Sequence, residues 1–368
     1  MRIAQITLDG YFPIIICGNA VVNSNYNEMF KKFHKYDDSC LILFNKDEEF
    51  KSYYSHNGLD VYAINVNNDA QSTHNNHVEY SKNLAFKIID LLIEKNINVV
   101  FFNDTDSQVY DNIIQNLPSH MIKIAIHHGI DIDFIKNRYY NYHGSIVFTE
   151  YQYDSYLNLG LDKNSMVIAP PPLDFSKIKE PTPYEERIPN SLLYMGRIKD
   201  YKGCHKIIPY LKDSNIDKYT IIGPNDPENE PKYLDRITKM AKNYDVSSKI
   251  EILDPIDNSE LIDFASNYEM FIQPSREEGI SLVLREAMSA GTIPVARKTL
   301  RTTMYGWCAN HLYTTNNYKH IMEYIDFIIN LPIDEKNRRS TEMFSYMKDM
   351  FCLDKVAKDV EEFINKIS

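Results

Sequence analysis

Cysteine is sparse in this 368-residue chain. Its five cysteines, Cys17, Cys40, Cys204, Cys308 and Cys352, are odd in number, widely scattered and never spaced as C-x-x-C. That argues against a disulfide framework and fits a reducing cytoplasm. Long apolar runs are also missing. The most apolar early stretch, Tyr11 to Val22, is interrupted by Pro13, Gly18 and Asn19 and falls short of the roughly 20 residues that cross a bilayer. No basic segment followed by an apolar run and a small-residue cleavage site opens the chain, so no signal peptide is expected. Basic charge is in deficit, 40 Lys and Arg against 51 Asp and Glu, and the formal net charge of −11 would repel a polyanion. General nucleic-acid binding is therefore not expected. Glycine is scarce at 12 residues, a compositional bias without mechanistic weight. No internal repeat occurs.

What is present is a globular balance, 43% hydrophobic and 25% charged residues, at a length that exceeds one ordinary core. Two domains are expected. Short β-branched runs alternate with amphipathic segments, as in parallel sheets covered by helices, and the class is α/β. In the first half the strands are predicted at Arg2 to Leu8, Cys40 to Phe44, Val61 to Val66, Asn98 to Phe102, Ile122 to His127, Ser145 to Thr149 and Met166 to Ala169. Ser81 to Lys95 is a predicted helix, with Leu84, Ile88, Leu91 and Leu92 on one face. Pro170-Pro171-Pro172 and the proline- and charge-rich stretch Lys177 to Pro189 read as the hinge. A second series of strands follows at Ser191 to Met195, Tyr219 to Ile222, Lys249 to Leu253, Met270 to Gln273 and Thr292 to Ala296. Two amphipathic segments, Lys336 to Phe351 and Leu353 to Ile367, close the chain.

The most informative segment reads FIQPSREEGISLVLREAMSAGTIPVA from Phe271 to Ala296. A buried-strand run leads through a polar turn into a helix from Ile280 to Ala290, which Gly291 ends. Such a unit aims backbone N–H groups and a positive helix end past the sheet edge, which suits a diphosphate. Glu278 and Glu286 are eight positions apart, roughly 12 Å if the span were helical. That separation suits two parts of one extended ligand. A solvated amphipathic helix is the bland alternative for either glutamate alone.

The segment resembles the E-x7-E signature of glycosyltransferase family 4, often written P-S-x-x-E-G-F-G-L-x-x-L-E-A-M-A-x-G-x-P-V-V. Pro274, Ser275, Glu278, Gly279, Leu282, Glu286, Ala287, Met288, Gly291, Pro294 and Val295 fall in register. Ile280 and Ser281 stand where Phe-Gly is usual, and Arg285 where an apolar residue is common. The run from Tyr194 to Gly203 resembles the Y-x-G-R-x-x-x-x-K-G element of the same family. The resemblance implies that Arg197 and Lys202 neutralise the donor diphosphate, that Gly196 permits close backbone approach, that Glu278 lies near the sugar and that Glu286 accepts from ribose hydroxyls. Gly279, Ile280, Ser281 and Leu282 would complete the donor wall. The histidine that family members place facing the sugar corresponds to His128, with His127 as the register alternative. Val147 to Tyr151 and Met166 to Asp174 resemble further family elements, and Gly18 with Asn19 would match the first loop, although an ordinary turn explains that pair equally well.

The resemblance implies a GT-B architecture of two Rossmann-like domains facing a central cleft. The expected parts are an acceptor domain over 1–175, a donor domain over 176–345, and a segment 346–368 whose helix crosses back. It further implies transfer of a hexose-type sugar from a UDP- or GDP-sugar to a glycan or glycolipid hydroxyl, with retention and with no cofactor or essential metal. Peripheral membrane contact is compatible with this; the Lys31, Lys32 and Lys35 cluster is too small to argue for it. Three rival readings keep parts of the pattern: a nucleotide-sugar epimerase, a non-catalytic nucleotide-sugar binding protein, and a transferase acting on a modified nucleic-acid base. Asp104-Thr105-Asp106 resembles the D-x-D metal element of a different transferase fold, but paired carboxylates are common in acidic loops and these read as solvated. His74 and His77 lack further ligands nearby, so no zinc site is expected.

Overall fold

The computed structural model describes residues 1–7, 25–26, 28–29, 40–45, 53–56, 59–65, 74–103, 108–129, 139–225, 232–276, 278, 280–298 and 311–368. Gly18, Asn19, Lys31, Lys32, Lys35, Asp104, Asp106 and Gly279 lie outside the described residues, as do the side chains of His74 and His77. The chain forms two compact units, Met1–Leu173 with Leu353–Ser368, and Asp174–Cys352.

The first unit contains strands β1 (Ile3–Thr7), β2 (Cys40–Asn45), β3 (Tyr53–His56) and β4 (Leu59–Asn65), helix α1 (His74–Glu94), β5 (Val99–Asn103), α2 (Gln108–Asn116), β6 (Ile122–Ile126), β7 (Gly144–Val147), α3 (Glu150–Asn158) and β8 (Met166–Ile168). The sheet order is β3-β4-β2-β1-β5-β6-β7-β8. All of its pairings are parallel except β3 with β4. Every residue of β1 and β5 is buried, as expected of central strands covered on both faces. Helix α1 packs Leu84, Ala85, Ile88, Ile89 and Leu92 on that sheet. It starts seven residues before the predicted segment and ends at Glu94, two residues before Asn96, whose φ of 52° turns the chain left-handed. Strand β3 was not predicted. Its alternation is weak, although Asn57-Gly58, a dipeptide favoured in tight hairpins, separates it from β4 in sequence.

The second unit contains β9 (Ile188–Met195), short 3₁₀ segments at Asp200–Lys202 and Cys204–Asp213, β10 (Lys218–Ile222), α4 (Tyr233–Asn243), β11 (Ile250–Leu253), α5 (Leu261–Ala265), β12 (Tyr268–Gln273), α6 (Leu282–Ser289), β13 (Ile293–Arg297), β14 (Tyr313–Thr315), α7 (Tyr318–Ile329) and α8 (Ile333–Phe351). Its all-parallel sheet runs β11-β10-β9-β12-β13-β14. This is the doubly wound order, in which chain progression reverses between β9 and β12. Strand β9 starts at Ile188, inside the stretch read as linker. It tolerates Pro189 because its first residues pair irregularly with β12 and Asn190 adopts a φ of 51°.

The last helix, α9 (Leu353–Ile367), belongs to the first unit. The handover falls at Cys352, not at residue 346. Helix α8 keeps Met347 and Phe351 in the core of the second unit. Leu353 then donates its N–H to the carbonyl of Leu173, 3.1 Å away, where the chain left the first unit. Helix α9 buries Val356, Ala357, Val360, Phe363 and Ile364. Gly144 at the start of β7 makes room for it, since a Cβ there would stand 2.5 Å from the Phe363 ring. Removing this buried ring should cost about 3–5 kcal/mol. Phe363→Ala is therefore expected to lower the denaturation midpoint of the first unit and leave that of the second unchanged; a shift in both transitions would contradict the assignment of α9.

Candidate functional site

Parallel strands joined by crossovers place the loops that follow them at one sheet edge, and the gap at a reversal point is where such sheets admit ligands. In the second unit that gap lies between β9 and β12. The loop after β9 carries Gly196 to Gly203, and the loop after β12 carries Pro274 to Ser281.

Gly196 has a φ of 132°, which disfavours any side chain, and donates its N–H to the carbonyl of Ile222, 3.0 Å away. The chain packs closely on Gly196 from the neighbouring loop, because a Cβ on Gly223 would stand 2.1 Å from the Gly196 oxygen. Arg197 follows with an exposed side chain, and no ion pair to it occurs among the described residues. Its carbonyl accepts from the Tyr194 hydroxyl at 2.7 Å. Lys202 ends a single 3₁₀ turn that Gly203, at φ 74°, terminates. Its ammonium lies 2.6 Å from Glu278 Oε1, with the two side chains 15% and 10% exposed. The structure thus brings together Lys202 and Glu278, which are 76 positions apart in the chain.

Helix α6 begins at Leu282 rather than at Ile280, so the span from Glu278 to Glu286 is only partly helical. Ser281 caps it, accepting from the Leu284 N–H at 3.4 Å. It does so at a φ of 37°, a region uncommon for a residue with a side chain. The Gln273 amide, at the end of β12, bonds to the Ser281 hydroxyl at 2.6 Å and holds that conformation. Ile280 is buried and Leu282 half-buried. Glu286 is only 3% exposed, and its Oε2 has no hydrogen-bond partner among the described residues. Its Oε1 lies 3.9 Å from the guanidinium of the fully buried Arg285. Burial pushes the Glu286 carboxyl up to about 7, against the opposing charge of Arg285. A buried carboxylate oxygen left unpaired is costly and ready to accept a ligand hydroxyl.

In the first unit the two histidines separate clearly. His127 is buried, with Nε2 3.2 Å from Ser145 Oγ and Nδ1 3.1 Å from the Tyr156 hydroxyl. Burial, helped by the charge of His128, lowers it to about 3, so it stays neutral and structural. His128 is half-buried at the end of β6, its Nε2 3.4 Å from Asn103 Oδ1 at the end of neighbouring β5.

Several bracing residues escaped sequence reasoning. Asp200, between Arg197 and Lys202, binds the guanidinium of Arg236 from α4 at 2.6 Å and that of Arg276 from the loop after β12. Burial alone would raise its carboxyl, but the hydrogen bond from Arg236 and the nearby charges of His205, Arg276 and Arg236 hold it below the usual carboxylate range. The Arg276 N–H donates to the Tyr201 carbonyl at 2.9 Å. The Tyr318 hydroxyl donates to the Pro274 carbonyl at 3.1 Å. No local spacing could signal these partners, because each joins segments tens of residues apart.

The second unit is thus a doubly wound parallel α/β domain with its candidate loop pair at the reversal of strand order. Residues 177–343, which lie within the second unit, match the family model described as Glycosyl transferases group 1. A search of curated protein sequences finds no match. Among solved structures, sucrose-phosphate synthase from Thermosynechococcus elongatus superposes with a TM-score of 0.80 at 14% identity, covering 100% of this chain and 98% of the other. HepE from Anabaena, in complex with UDP and glucose, gives 0.75 at 12% identity, with 99% of each chain covered. A glycosyltransferase from Rickettsia africae gives 0.76 at 14% identity, covering 100% and 98%. At these identities the likeness is one of fold, two Rossmann-like domains of the GT-B architecture. No helix among the described residues is long and apolar enough to cross a membrane.

The raised Glu286 carboxyl sets the sign of a pH effect. A carboxyl pushed above its ordinary 4.5 favours the folded state below that value, and the advantage is lost as pH rises through about 7. Glu286→Gln should therefore be more stable than the parent at pH 8, by on the order of 1–3 kcal/mol given about 1.4 kcal/mol per pKa unit. The gap should close below pH 5. Denaturant titrations across pH 4–9 measure it, and a gap independent of pH would mean the carboxylate is already paired.

Proposed function

We propose that this protein is a retaining glycosyltransferase of the family 4 type that moves a hexose-type sugar from a UDP- or GDP-sugar to a hydroxyl of a carbohydrate or glycolipid acceptor. The reading rests above all on one observation: Lys202 and Glu278, 76 positions apart, pair at 2.6 Å between the loops that follow β9 and β12, where the strand order reverses. Arg197 and Lys202 take the donor diphosphate, aided by N–H groups at the start of α6. Glu278 meets the sugar and Glu286 the ribose. The UDP in the HepE complex makes a uridine nucleotide the first donor to test.

In the reaction, the bond from the sugar anomeric carbon to the diphosphate oxygen breaks and the acceptor oxygen bonds to that carbon on the same face. The acceptor proton passes to the departing phosphate, whose growing negative charge Arg197 and Lys202 stabilise. No metal is required in this scheme, since the two cations supply the positive charge. We assign the acceptor role to the first unit, with His128 as its candidate catalytic side chain.

Calorimetric titration with UDP- and GDP-sugars tests the donor site. One donor is expected to bind, to bind equally with chelator present, and to bind more weakly to Glu286→Ala. Arg197→Ala or Lys202→Ala should lower turnover by about 10²–10³-fold, the usual effect of removing one charge-stabilising donor. Unchanged turnover in both variants would remove the phosphate clamp from the mechanism.

A further inference from the structure

The Lys202–Glu278 ion pair spans the two loops of the site, yet it is the one bridge that a ligand must disturb. An incoming diphosphate competes for the Lys202 ammonium, and a sugar hydroxyl competes for the Glu278 carboxylate. If this pair alone held the loops together, binding would release them at the moment when their spacing matters most.

A second connection between the same loops uses no atom assigned to the ligand. Asp200 lies on the 3₁₀ turn that presents Lys202, and its carboxylate pairs with the guanidinium of Arg276, two residues before Glu278. The backbone of Arg276 also joins the turn, its N–H donating to the Tyr201 carbonyl at 2.9 Å. Gly203 packs so tightly on the same loop that a Cβ would stand 2.7 Å from the Pro274 oxygen. The other face of Asp200 is held by Arg236, 2.6 Å away on α4, and His205 Nε2 stands 3.8 Å from the same oxygen. Asp200 therefore links the first loop both to the second loop and to the helix layer behind it.

We propose that Asp200 and Arg276 are positioning residues that keep the two loops in register while Lys202 and Glu278 exchange each other for the donor. The proposal rests on the donor-site reading above. All three charged groups are about one-third to one-half exposed, and exposed ion pairs contribute little to folding stability. Losing the Asp200–Arg276 link should thus leave the fold intact and appear in ligand affinity, because displacing a positioning group by about 1 Å is enough to cost up to 100-fold in an oriented site.

The test is a double-mutant cycle on donor affinity, read by calorimetry with the nucleotide-sugar that the parent binds, together with the melting temperature of each variant. Arg276→Ala and Asp200→Ala should each weaken binding about tenfold, and the double variant should be no weaker than either single one. Arg276→Lys should recover most of the loss. Arg236→Ala removes an equal charge from Asp200 without touching the second loop and should change affinity less than about twofold. Melting temperatures should move by only a few degrees. Additive losses in the double variant, or unchanged affinity in Asp200→Ala, would overturn the positioning role and make Arg276 a direct ligand contact or a bystander. A parent that binds no UDP- or GDP-sugar would overturn the donor-site reading and this inference together.

Discussion

The constraint on which the second unit turns is the reversal of strand order between β9 and β12. Neighbouring strands lie about 4.8 Å apart, so loops leaving their ends are within the reach of one ligand. They diverge only because the crossovers go to opposite sides of the sheet. Everything distinctive about the site follows from that arrangement: cations on one loop, a carboxylate on the other, and a helix start beside them. The same sheet edge in the first unit brings His128 beside Asn103, so both units present polar groups from the ends of parallel strands.

Buried charge is used in two ways in the second unit. Away from the site it is satisfied. Arg187 donates to the carbonyls of Thr182, Tyr268 and Gly291 and to the Ser340 hydroxyl, while its guanidinium stacks 4.2 Å from the Tyr184 ring. Lys336 and Glu269 stand 3.5 Å apart, both buried. That network ties the segment entering β9 to β12 and α8. At the site, by contrast, Glu286 retains an oxygen with no partner among the described residues. A protein that satisfies an arginine four times over in one place and leaves a carboxylate wanting in another bears a cost that ligand binding can remove.

Much of this was legible in the sequence. The strands with continuous β-branched or aromatic runs, such as Val99–Asn103, and the two closing helices stand where periodicity puts them, because burial on both faces or on one stripe leaves an unmistakable pattern. The short edge strands Tyr53–His56 and Tyr313–Thr315 were missed, since three or four residues are too few to carry a period. Both site motifs could be found because their residues are contiguous. What joins them could not, since the pairing of Asp200 with Arg276 or Lys202 with Glu278 exists only once the sheet has folded.

The departures from the family pattern also acquire physical meaning. Ser281 occupies a left-handed backbone position where glycine would pay no steric penalty, and such strain persists only where surrounding contacts over-determine it. Those contacts are the Gln273 amide on its hydroxyl and the capping bond to Leu284. A glycine here would relax the turn but lose both. Arg285, one position before Glu286, is wholly buried where an apolar residue is usual, and its charge opposes the burial that would otherwise drive the Glu286 carboxyl still higher. The two departures act on the same short stretch. One fixes where α6 begins, and the other sets how readily its carboxylate ionises, so both shape the short stretch that follows the loop after β12.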